Sequence, residues 1–433
     1  MAKHKNVSPA RRAAFDILRR VADGAFSSVL LAAEEPKLSP ADRALTHELV
    51  LGVLRWQLWL DKIVERFSKR TTDSLDLPVR IALRLALYQL RFLTRIPASA
   101  AVNESVNLVR SAKLSSAAAF VNAVLRRAIG EAGYDPASDA ENSLEKLAIE
   151  TSHPAWLIER WVNSFGLAEG ESLARADNEI PPTAFRVVHT RTEEDDVLQQ
   201  LVAAGASIER SGIAEHAYRI SGASAVLRDM WANGQIYLQD EASQLVPQLL
   251  DARPGERILD LCAAPGGKTT LLADRVNDSA LIVAADRSAT RMTTITTTAT
   301  LHRLRNIRSI LLDAGETLPF ASGSFDRVLV DAPCSGTGTL RRNPEIRWRL
   351  SPEDIPNFAA AQKQFLRNAA EVLKPGGRLV YSTCSVEREE NEEVISDFLQ
   401  THPDFTALKT LRTWPHHEGS DGFFMCVLER AGS

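Results

Sequence analysis

Two cysteines stand directly after short apolar runs in this 433-residue chain, and their surroundings favour covalent chemistry. Cys334 lies in the segment Asp331–Gly336, and Cys384 lies in the segment Ser382–Ser385. Both follow a glycine-containing loop, Cys262–Lys268, of the kind that can hold a nucleotide-like cofactor. The pattern predicts a thiol nucleophile and a group donor at one edge of a sheet, as methylation of carbon 5 of a pyrimidine requires.

This chemistry needs sulfur because carbon 5 of cytosine is not nucleophilic enough to take a methyl group directly. A thiolate that adds to carbon 6 turns the ring into an enamine; after methyl transfer a base removes the carbon 5 proton and the thiol leaves. Asp331, three residues before Cys334, is placed to hydrogen-bond the N3 edge of the base. The chemistry leaves open whether Cys334 or Cys384 is the nucleophile, the other then helping to release the product. Cys426, inside an apolar run, is interpreted as a core residue.

The cofactor loop joins a predicted strand, Arg257–Leu261, to a helix predicted to start near Gly267. Its glycines allow a ligand to approach the backbone, and the helix N-terminus offers free N–H groups. A Walker loop would need glycine at Cys262, and residues 262–267 read C-A-A-P-G-G where a dinucleotide loop needs G-x-G-x-x-G. ATP and NAD are therefore disfavoured, and S-adenosylmethionine is the predicted cofactor. The predicted loop residues are Cys262 (through its backbone), Ala263, Ala264, Pro265, Gly266, Gly267 and Lys268.

Aspartates follow successive predicted strands, as ribose recognition would require. Asp286 comes 26 residues after Asp260, where an acid can accept both ribose hydroxyls, and Asp313 is expected to border the adenine. Each aspartate alone is more often a helix cap or a turn residue. Because each follows its own strand, we interpret the set as part of the cofactor site.

The C-terminal region, residues 235–433, alternates short apolar runs with helical patterns, which is typical of a doubly wound parallel sheet. We therefore predict an α/β Rossmann-like methyltransferase domain there. The predicted strands are Arg257–Leu261, Leu281–Ala285, Ile307–Leu312, Asp326–Val330, Arg378–Tyr381 and Phe423–Leu428.

The first 140 residues predict an all-α domain of five to seven helices, with helix starts at Ser39–Asp42 and Asp76–Pro78. Residues 136–150 are polar and read as a linker. Residues 141–234 predict a small α+β subdomain with a helix over Pro154–Phe165 and a strand over Thr183–His189. The predicted fold class is thus multidomain, with division points at 140 and 234.

Charge is unevenly distributed along the chain. Residues 1–135 carry 21 Lys and Arg against 13 Asp and Glu, a net +8, whereas the remainder carries −12. Clustered cations neutralise phosphates, so the helical region is a candidate RNA-binding surface, although Arg pairs also occur on ordinary solvated helix faces. The segment Arg341–Arg349 combines four arginines with Trp348, and we expect it to form a loop that grips phosphate and stacks on an unpaired base, although an ordinary basic loop has the same composition.

Composition limits the other partners. Four cysteines without a CxxC pair argue against structural zinc and a disulfide framework, so we expect no metal. No stretch approaches the ~20 apolar residues of a membrane helix, and residues 1–6 do not lead into the apolar core of a secretory signal. We expect a cytoplasmic monomer that does not contact membranes.

The segments Asp260–Thr269, Asp331–Gly338 and Tyr381–Ser385 resemble motifs of the RNA cytosine-C5 methyltransferases. The helical region, with Asn103–Val106 and Phe120–Arg127, resembles the antitermination-factor-like (NusB-like) RNA-binding domain joined to that enzyme in the bacterial 16S rRNA branch, the RsmB type. The resemblance spans nearly the whole chain. It implies transfer of a methyl group to a cytosine of 16S rRNA that is unpaired or flipped out.

The resemblance also implies roles by position. In that family the Thr-Cys thiol, here Cys384, attacks carbon 6, while the Pro-Cys thiol, here Cys334, serves in product release; DNA cytosine methyltransferases instead use the Pro-Cys thiol. It places the cofactor against residues 262–268, Asp286, Asp313 and Asp331. Arg287 departs from the more apolar residue expected after the ribose acid. Two rival interpretations are another pyrimidine target, such as tRNA cytosine or a uracil, and an RNA-binding module that has lost catalysis.

Overall fold

The computed structural model describes residues 7–432 and divides them into two compact units. The helical unit comprises the described part of Met1–Glu179 together with Leu340–Arg349, and the sheet unit comprises Ile180–Thr339 and the described part of Leu350–Ser433. Residues 1–6, which entered the prediction about secretory signals, lie outside the described residues. The three-domain division at 140 and 234 stays a prediction.

Helices make up the helical unit, as predicted. They are α1 (Pro9–Ala22), α2 (Ser27–Glu34), α3 (Pro40–Arg55), α4 (Gln57–Ser68), α5 (Leu77–Phe92), α6 (Ala98–Ser111), α7 (Ala118–Gly130), α8 (Ser143–Thr151), α9 (Ala155–Phe165) and α10 (Leu167–Ala176). Helix α3 begins where the sequence predicts, because Ser39 Oγ accepts a hydrogen bond from the backbone N–H of Asp42 at 3.2 Å.

The prediction that residues 136–150 form a linker is wrong. A short 3-10 helix, Pro136–Asp139, is followed by α8, whose start is capped by Asn142 Oδ1 accepting from Glu145 N at 2.9 Å. Leu147 and Ile149 are buried. Tertiary burial of one short apolar face therefore stabilises a helix whose sequence is mostly polar.

The sheet unit contains the remaining secondary structure. A small antiparallel sheet, in the order β2-β3-β1-β4, comprises β1 (Thr183–Val187), β2 (Ser207–Arg210), β3 (Ala217–Ser221) and β4 (Ile236–Leu238). The helices are α11 (Glu194–Ala203), α12 (Ser224–Ala232), α13 (Glu241–Leu249), α14 (Gly267–Arg275), α15 (Ala289–Leu301), α17 (Asp354–Val372) and α18 (Glu392–Thr401). Helix α16 (Ile346–Arg349) belongs to the helical unit, and further 3-10 turns span Glu35–Lys37, Thr72–Ser74, Ser115–Ala117 and Thr337–Thr339.

The larger sheet has the order β10-β11-β9-β8-β5-β6-β7. Its strands are β5 (Arg257–Asp260), β6 (Leu281–Asp286), β7 (Ile307–Leu311), β8 (Phe325–Asp331), β9 (Leu373–Thr383), β10 (Phe405–Thr413) and β11 (Phe423–Arg430). Strands β5 to β9 are parallel, but β11 runs antiparallel to β9 and to β10. The prediction of a parallel sheet is therefore wrong at this edge: the described residues 414–422 form no helix between β10 and β11, and a parallel crossover needs a longer connection.

Apolar side chains on both faces of this sheet are covered by helices. On one face Leu366 of α17 and Phe398 of α18 join strand residues in a buried cluster, which includes Cys426. On the other face Val246 of α13 and Leu272 of α14 do the same. The predicted double-wound arrangement and the core role of Cys426 are confirmed. Within residues 7–432, each helix is too short or too polar to cross a bilayer.

The basic segment Leu340–Arg349 has a structural role rather than the predicted RNA-gripping one. The Arg347 side chain is fully buried and donates to the carbonyl of Ser152 and to Asn178 Oδ1, each at 3.1 Å. Trp348 Nε1 donates to the carbonyl of Leu54 at 2.6 Å, and Glu345 accepts from Ser27 N at 2.8 Å. Arg347 and Trp348 are thus occupied by carbonyl and amide groups of the helical unit, so the expectation for this segment is wrong.

Candidate active site

The candidate site lies where the parallel strands of the larger sheet end. Strands β5, β6 and β8 end at Asp260, Asp286 and Asp331, and β9 ends at Thr383, one residue before Cys384. In the β8–β9 ladder Asp331 is opposite Ser382. Parallel neighbours end on the same edge, so residues far apart in sequence meet there.

The glycine-containing loop runs from β5 into α14, which begins at Gly267 as predicted. Gly266 has φ +105°, and a Cβ there would lie 3.1 Å from Ile295 Cα, so the position requires glycine. The loop is tied to β6: Ala263 N donates to the carbonyl of Ala285 at 2.9 Å, and Ala264 N donates to Asp286 Oδ2 at 3.2 Å. Asp286 is thereby held at the end of its strand.

A cavity of about 180 Å³ lies beside this loop. It is lined by Leu261, Cys262, Asp286, Arg287, Arg291, Leu312, Asp313, Ala314, Pro333, Phe358, Ala361 and Phe365. The predicted ribose and adenine aspartates therefore border one cavity, with apolar and aromatic side chains between them. Arg291, which sequence reasoning did not single out, has its Nη1 3.8 Å from Asp286 Oδ2.

A second cavity, of about 220 Å³, lies on the other side of Cys262. Its lining comprises Tyr237, Leu238, Gln239, Ser243, Asp260, Cys262, Ala263, Ala264, Pro265, Gly267, Lys268 and Asp331. Tyr237, Gln239 and Ser243 were missed by the sequence analysis. Their only advance signal is a polar and aromatic cluster shortly before the cofactor loop.

Lys268 and Asp331 form an ion pair in this second cavity. Lys268 Nζ lies 2.8 Å from Asp331 Oδ2, and Ser382 Oγ donates to Asp331 Oδ1 at 2.8 Å. Burial alone would lower the pKa of Lys268, but the Asp331 carboxylate, with a smaller contribution from Cys384, raises it above its ordinary value. The amine is therefore a fixed cation at the edge of the site.

Asp260 lies beneath the loop and is buried. Its Oδ2 accepts from Thr269 Oγ1 at 2.6 Å, whereas Oδ1 has no hydrogen-bond partner within residues 7–432. Burial raises the pKa of this carboxyl to about 7.

The two cysteines are adjacent. Cys334 Sγ and Cys384 Sγ lie 3.4 Å apart, and the backbone N–H of Gly338 donates to the carbonyl of Cys384 at 2.9 Å. The hydrogen bond with Cys384, together with burial, raises the pKa of the Cys334 thiol well above its ordinary value. Burial likewise raises the pKa of Cys262, in keeping with a backbone role for that residue. The structure thus brings together the predicted thiols, while Asp313 lines the cavity that also contains Asp286 and Pro333.

The residues present fit S-adenosylmethionine. The loop is closely packed at Gly266 and Gly267, where a Cβ would lie 3.1 Å from Ile295 Cα and 2.9 Å from Tyr237 Cε1. Carboxylates suited to hydroxyl groups border the cavity of Asp286 and Asp313, and aromatic side chains suited to a purine, Phe358 and Phe365, line it as well. Fold and site together define an S-adenosylmethionine-dependent methyltransferase.

Comparisons with known proteins refine this class. Residues 247–429 match the family described as 16S rRNA methyltransferase RsmB/F. Residues 8–130 match the NusB family, and residues 153–227 match a ferredoxin-like domain described as RsmF/B-like.

Relatives of nearly equal length share this arrangement. The probable ribosomal RNA small subunit methyltransferase B of Bacillus subtilis is 34% identical, covering 94% of this chain and 95% of that protein. Ribosomal RNA small subunit methyltransferase B of Pseudomonas putida is 36% identical, covering 92% and 93%. The chain belongs to the ribosomal RNA small subunit methyltransferase B family, which confirms the resemblance seen in its motifs.

Solved structures agree in fold. The crystal structure of PH0851 has a TM-score of 0.87 at 29% identity, covering 98% of this chain and 99% of that one. A methyltransferase homolog protein from Pyrococcus horikoshii has a TM-score of 0.60 at 27% identity, covering 67% of this chain and all of that one.

Proposed function

We propose that this chain transfers a methyl group from S-adenosylmethionine to carbon 5 of a cytosine in 16S rRNA, through a transient bond between Cys384 and carbon 6. The observation that carries the proposal is the 3.4 Å separation of Cys334 Sγ and Cys384 Sγ at the strand edge that also holds Lys268 and Asp331. The names of the relatives support ribosomal RNA as the substrate.

The cofactor would be held by residues 262–268, with Asp286 at the ribose, Asp313 at the adenine and Asp331 near the reacting end. Cys262 lines both cavities, so the cavity beside Asp286 and Asp313 and the cavity beside Lys268 and Asp331 both adjoin the loop proposed to hold the cofactor. When bound, S-adenosylmethionine supplies an electrophilic methyl group that carbon 5 takes, with S-adenosylhomocysteine as the leaving group.

The protein's part of the reaction begins at Cys384. Its thiolate adds to carbon 6, the π electrons of the carbon 5–carbon 6 bond shift to the carbon 4–carbon 5 bond, and N3 receives the proton that the Cys384 thiol gave up, relayed by the Asp331 carboxylate at that edge. The Lys268 ammonium, paired with Asp331, contributes a positive charge at this edge of the sheet. After carbon 5 has been methylated, a base removes its proton and the sulfur–carbon 6 bond breaks, the electron pair returning to sulfur. Cys334, adjacent to Cys384, is assigned to this release step.

The substrate cytosine has to be unpaired or flipped out, since carbon 6 is inaccessible within a helix stack. Residues 1–140 are assigned as the RNA-binding domain, residues 141–234 as a linking subdomain and residues 235–433 as the catalytic domain. The exposed pairs Arg19–Arg20 and Arg126–Arg127 supply positive charge on the helical unit. We further propose a cytoplasmic monomer that acts without a metal or a membrane.

Methyl transfer to purified RNA tests the proposal. The full chain, incubated with radiolabelled S-adenosylmethionine, should place label in 16S rRNA and not in tRNA, and nucleoside digestion should recover it as 5-methylcytidine. Label in tRNA alone, or in 5-methyluridine, would overturn the substrate assignment. An oligonucleotide carrying 5-fluorocytosine should become covalently attached to the peptide that contains Cys384, because fluorine at carbon 5 blocks the release step.

A further inference from the structure

Two loops carry the thiols: the Cys334 loop (residues 332–336) follows β8, and the Cys384 loop (residues 384–391) follows β9. Glu390, in the second of these loops, is a buried acid that contacts both of them, and the reaction proposed above gives it no role. Its carboxylate accepts hydrogen bonds from the backbone N–H of Ser335 and from Gln362 Nε2, each at 2.9 Å to Oε2. Ser385 Oγ donates to Oε1 at 2.7 Å. The side chain is fully buried, so these groups replace water around the carboxylate.

The donors come from separate parts of the chain that meet at the strand edge. Ser335 directly follows Cys334, Ser385 directly follows Cys384, and Gln362 lies on α17. Gln362 Nε2 also donates to the carbonyl of Pro333 at 3.0 Å. One carboxylate therefore connects the residues that flank both thiols to a helix of the core.

The surrounding hydroxyls extend this connection. Ser335 Oγ donates to Ser385 Oγ at 3.0 Å, and the backbone N–H of Val386 donates to Thr337 Oγ1 at 3.1 Å. The backbone of Glu390 also takes part, since Tyr381 Oη donates to its carbonyl at 2.6 Å. A buried network of this kind is rigid only when its members are satisfied, so loss of its central acceptor should loosen both loops.

We propose that Glu390 is a positioning residue that holds the Cys334 loop and the Cys384 loop together and keeps the two thiols in contact. The inference rests on the proposed covalent mechanism for its consequence in catalysis. Its structural content, the spacing and reactivity of the thiols, stands independently of the RNA substrate.

The charge of Glu390 also distinguishes the thiols. Its carboxylate is one of the groups that raise the pKa of Cys334, after the hydrogen bond with Cys384, burial and the charge of Cys384. Removing the charge while keeping the side-chain size should make Cys334 more reactive. Separation of the two thiols would also remove the hydrogen bond that contributes most to the raised pKa of Cys334, so both consequences of the substitution lower that pKa.

The test compares Glu390→Gln with Glu393→Gln, an exposed glutamate at the start of α18. In methylation of 16S rRNA, kcat of Glu390→Gln should fall by about 10- to 100-fold while KM for RNA stays within about 2-fold, since small misplacements of reacting groups cost this much. In the absence of RNA, the pH midpoint for iodoacetamide alkylation of Cys334, followed by peptide mass spectrometry, should move to lower pH. Glu393→Gln should match the unmodified chain in both assays.

A second variant distinguishes loss of the Glu390 charge from misfolding of the chain. Ser385→Ala removes the hydrogen bond to Glu390 Oε1 and those that Ser385 Oγ accepts from Ser335 Oγ and Glu387 N, but it keeps the carboxylate. It should therefore lower kcat by a smaller factor and leave the Cys334 alkylation midpoint in place. Unchanged kcat in Glu390→Gln, or an unchanged Cys334 midpoint, would overturn the inference. Failure of the unmodified chain to methylate any cytosine would instead refute the proposed function, while the alkylation measurement would still decide the role of Glu390.

Discussion

Cys334 and Cys384 are 50 positions apart in the chain, yet their Sγ atoms lie 3.4 Å from each other. Strands β8 and β9 are parallel neighbours, so the loops that follow them leave the same edge of the sheet. Two thiols at this distance can serve different steps of one covalent reaction. One sulfur bonds to the base, and the other acts when that bond breaks.

The thiol pair should be sensitive to oxidation. Treatment with diamide, which accepts two electrons and two protons from a pair of thiols, should link Cys334 to Cys384, because a small movement brings the sulfurs to the ~2.05 Å of a disulfide. Peptide mapping should detect the link, and methylation should be lost until dithiothreitol is added. A Cys426→Ser variant should behave like the unmodified chain, whereas inactivation without a 334–384 link would contradict the prediction.

Substitution of the two cysteines should give different outcomes. Cys384→Ala should abolish methylation while cofactor affinity stays within about 2-fold, because the variant lacks the attacking sulfur but keeps the loop. Cys334→Ala should accumulate a covalent RNA complex, visible as a slower band on a denaturing gel. Full turnover by Cys384→Ala would move the nucleophile role to Cys334.

The Lys268–Asp331 pair should matter for chemistry more than for RNA affinity. Asp331→Asn removes the carboxylate that raises the pKa of Lys268 and that lines the cavity beside the cofactor loop, so methylation should fall by about 100-fold or more. RNA binding, measured by gel retention, should change little. Asp326→Asn is the matched control, since Asp326 pairs with Lys374 at the opposite end of β8. Equal losses in the two variants would argue for a merely structural effect.

Asp260 should make the stability of the sheet unit depend on pH. Because burial raises its pKa to about 7 from an ordinary 3.8, the folded chain holds an extra proton between these values, and stability falls as pH rises through them. The Asp260→Asn variant does not titrate there, so its unfolding free energy relative to the unmodified chain should increase by roughly 2 to 3 kcal/mol between pH 5 and pH 8. Urea unfolding at the two pH values measures this.

The control for that measurement is Asp326→Asn. The pKa of Asp326 is lowered: burial opposes the shift, but Lys374 and the backbone of Arg257 outweigh it. Its contribution is present above the ordinary pKa and is lost only as the pH falls below that value. The difference between this variant and the unmodified chain should therefore be the same at pH 5 and pH 8. An Asp260→Asn difference that is equally constant would show that Asp260 is ionised throughout.

Arg347 should act through stability. Arg347→Ala leaves the buried carbonyl of Ser152 and the Asn178 amide oxygen without their donor, which should cost about 2 to 4 kcal/mol in the helical unit. Arg126→Ala, at an exposed position on α7, should change stability by less than about 0.5 kcal/mol. Thermal unfolding compares the variants. A stable Arg347→Ala variant with weakened, less salt-dependent RNA binding would restore the phosphate-gripping interpretation.

Local patterns predicted much of the catalytic region. The loop before Gly267, the aspartates at the ends of β5 and β6, and the positions of the first strands along the chain could be predicted directly, because glycine content and the alternation of strands and helices are local properties. Strand β10 could not be predicted from its local pattern. Most of its residues are exposed at the sheet edge, so its sequence lacks an apolar face. Helix α8 was not predicted because its sequence is mostly polar. Its few apolar residues stabilise a helix only when they are buried against the rest of the unit.

The residue types that could do chemistry, and their places after strands, were already evident in the amino-acid sequence. They are the two thiols, Lys268 and the aspartates that border the cavities. Which of them meet depends on the three-dimensional fold, because strand order sets distances between segments that are far apart in the chain. That order brings Cys334 to Cys384, Lys268 to Asp331, and Glu390 to Ser335. Burial likewise decided the role of Arg347, since an arginine in a basic segment has the same local sequence whether it faces solvent or the carbonyls of a helical core.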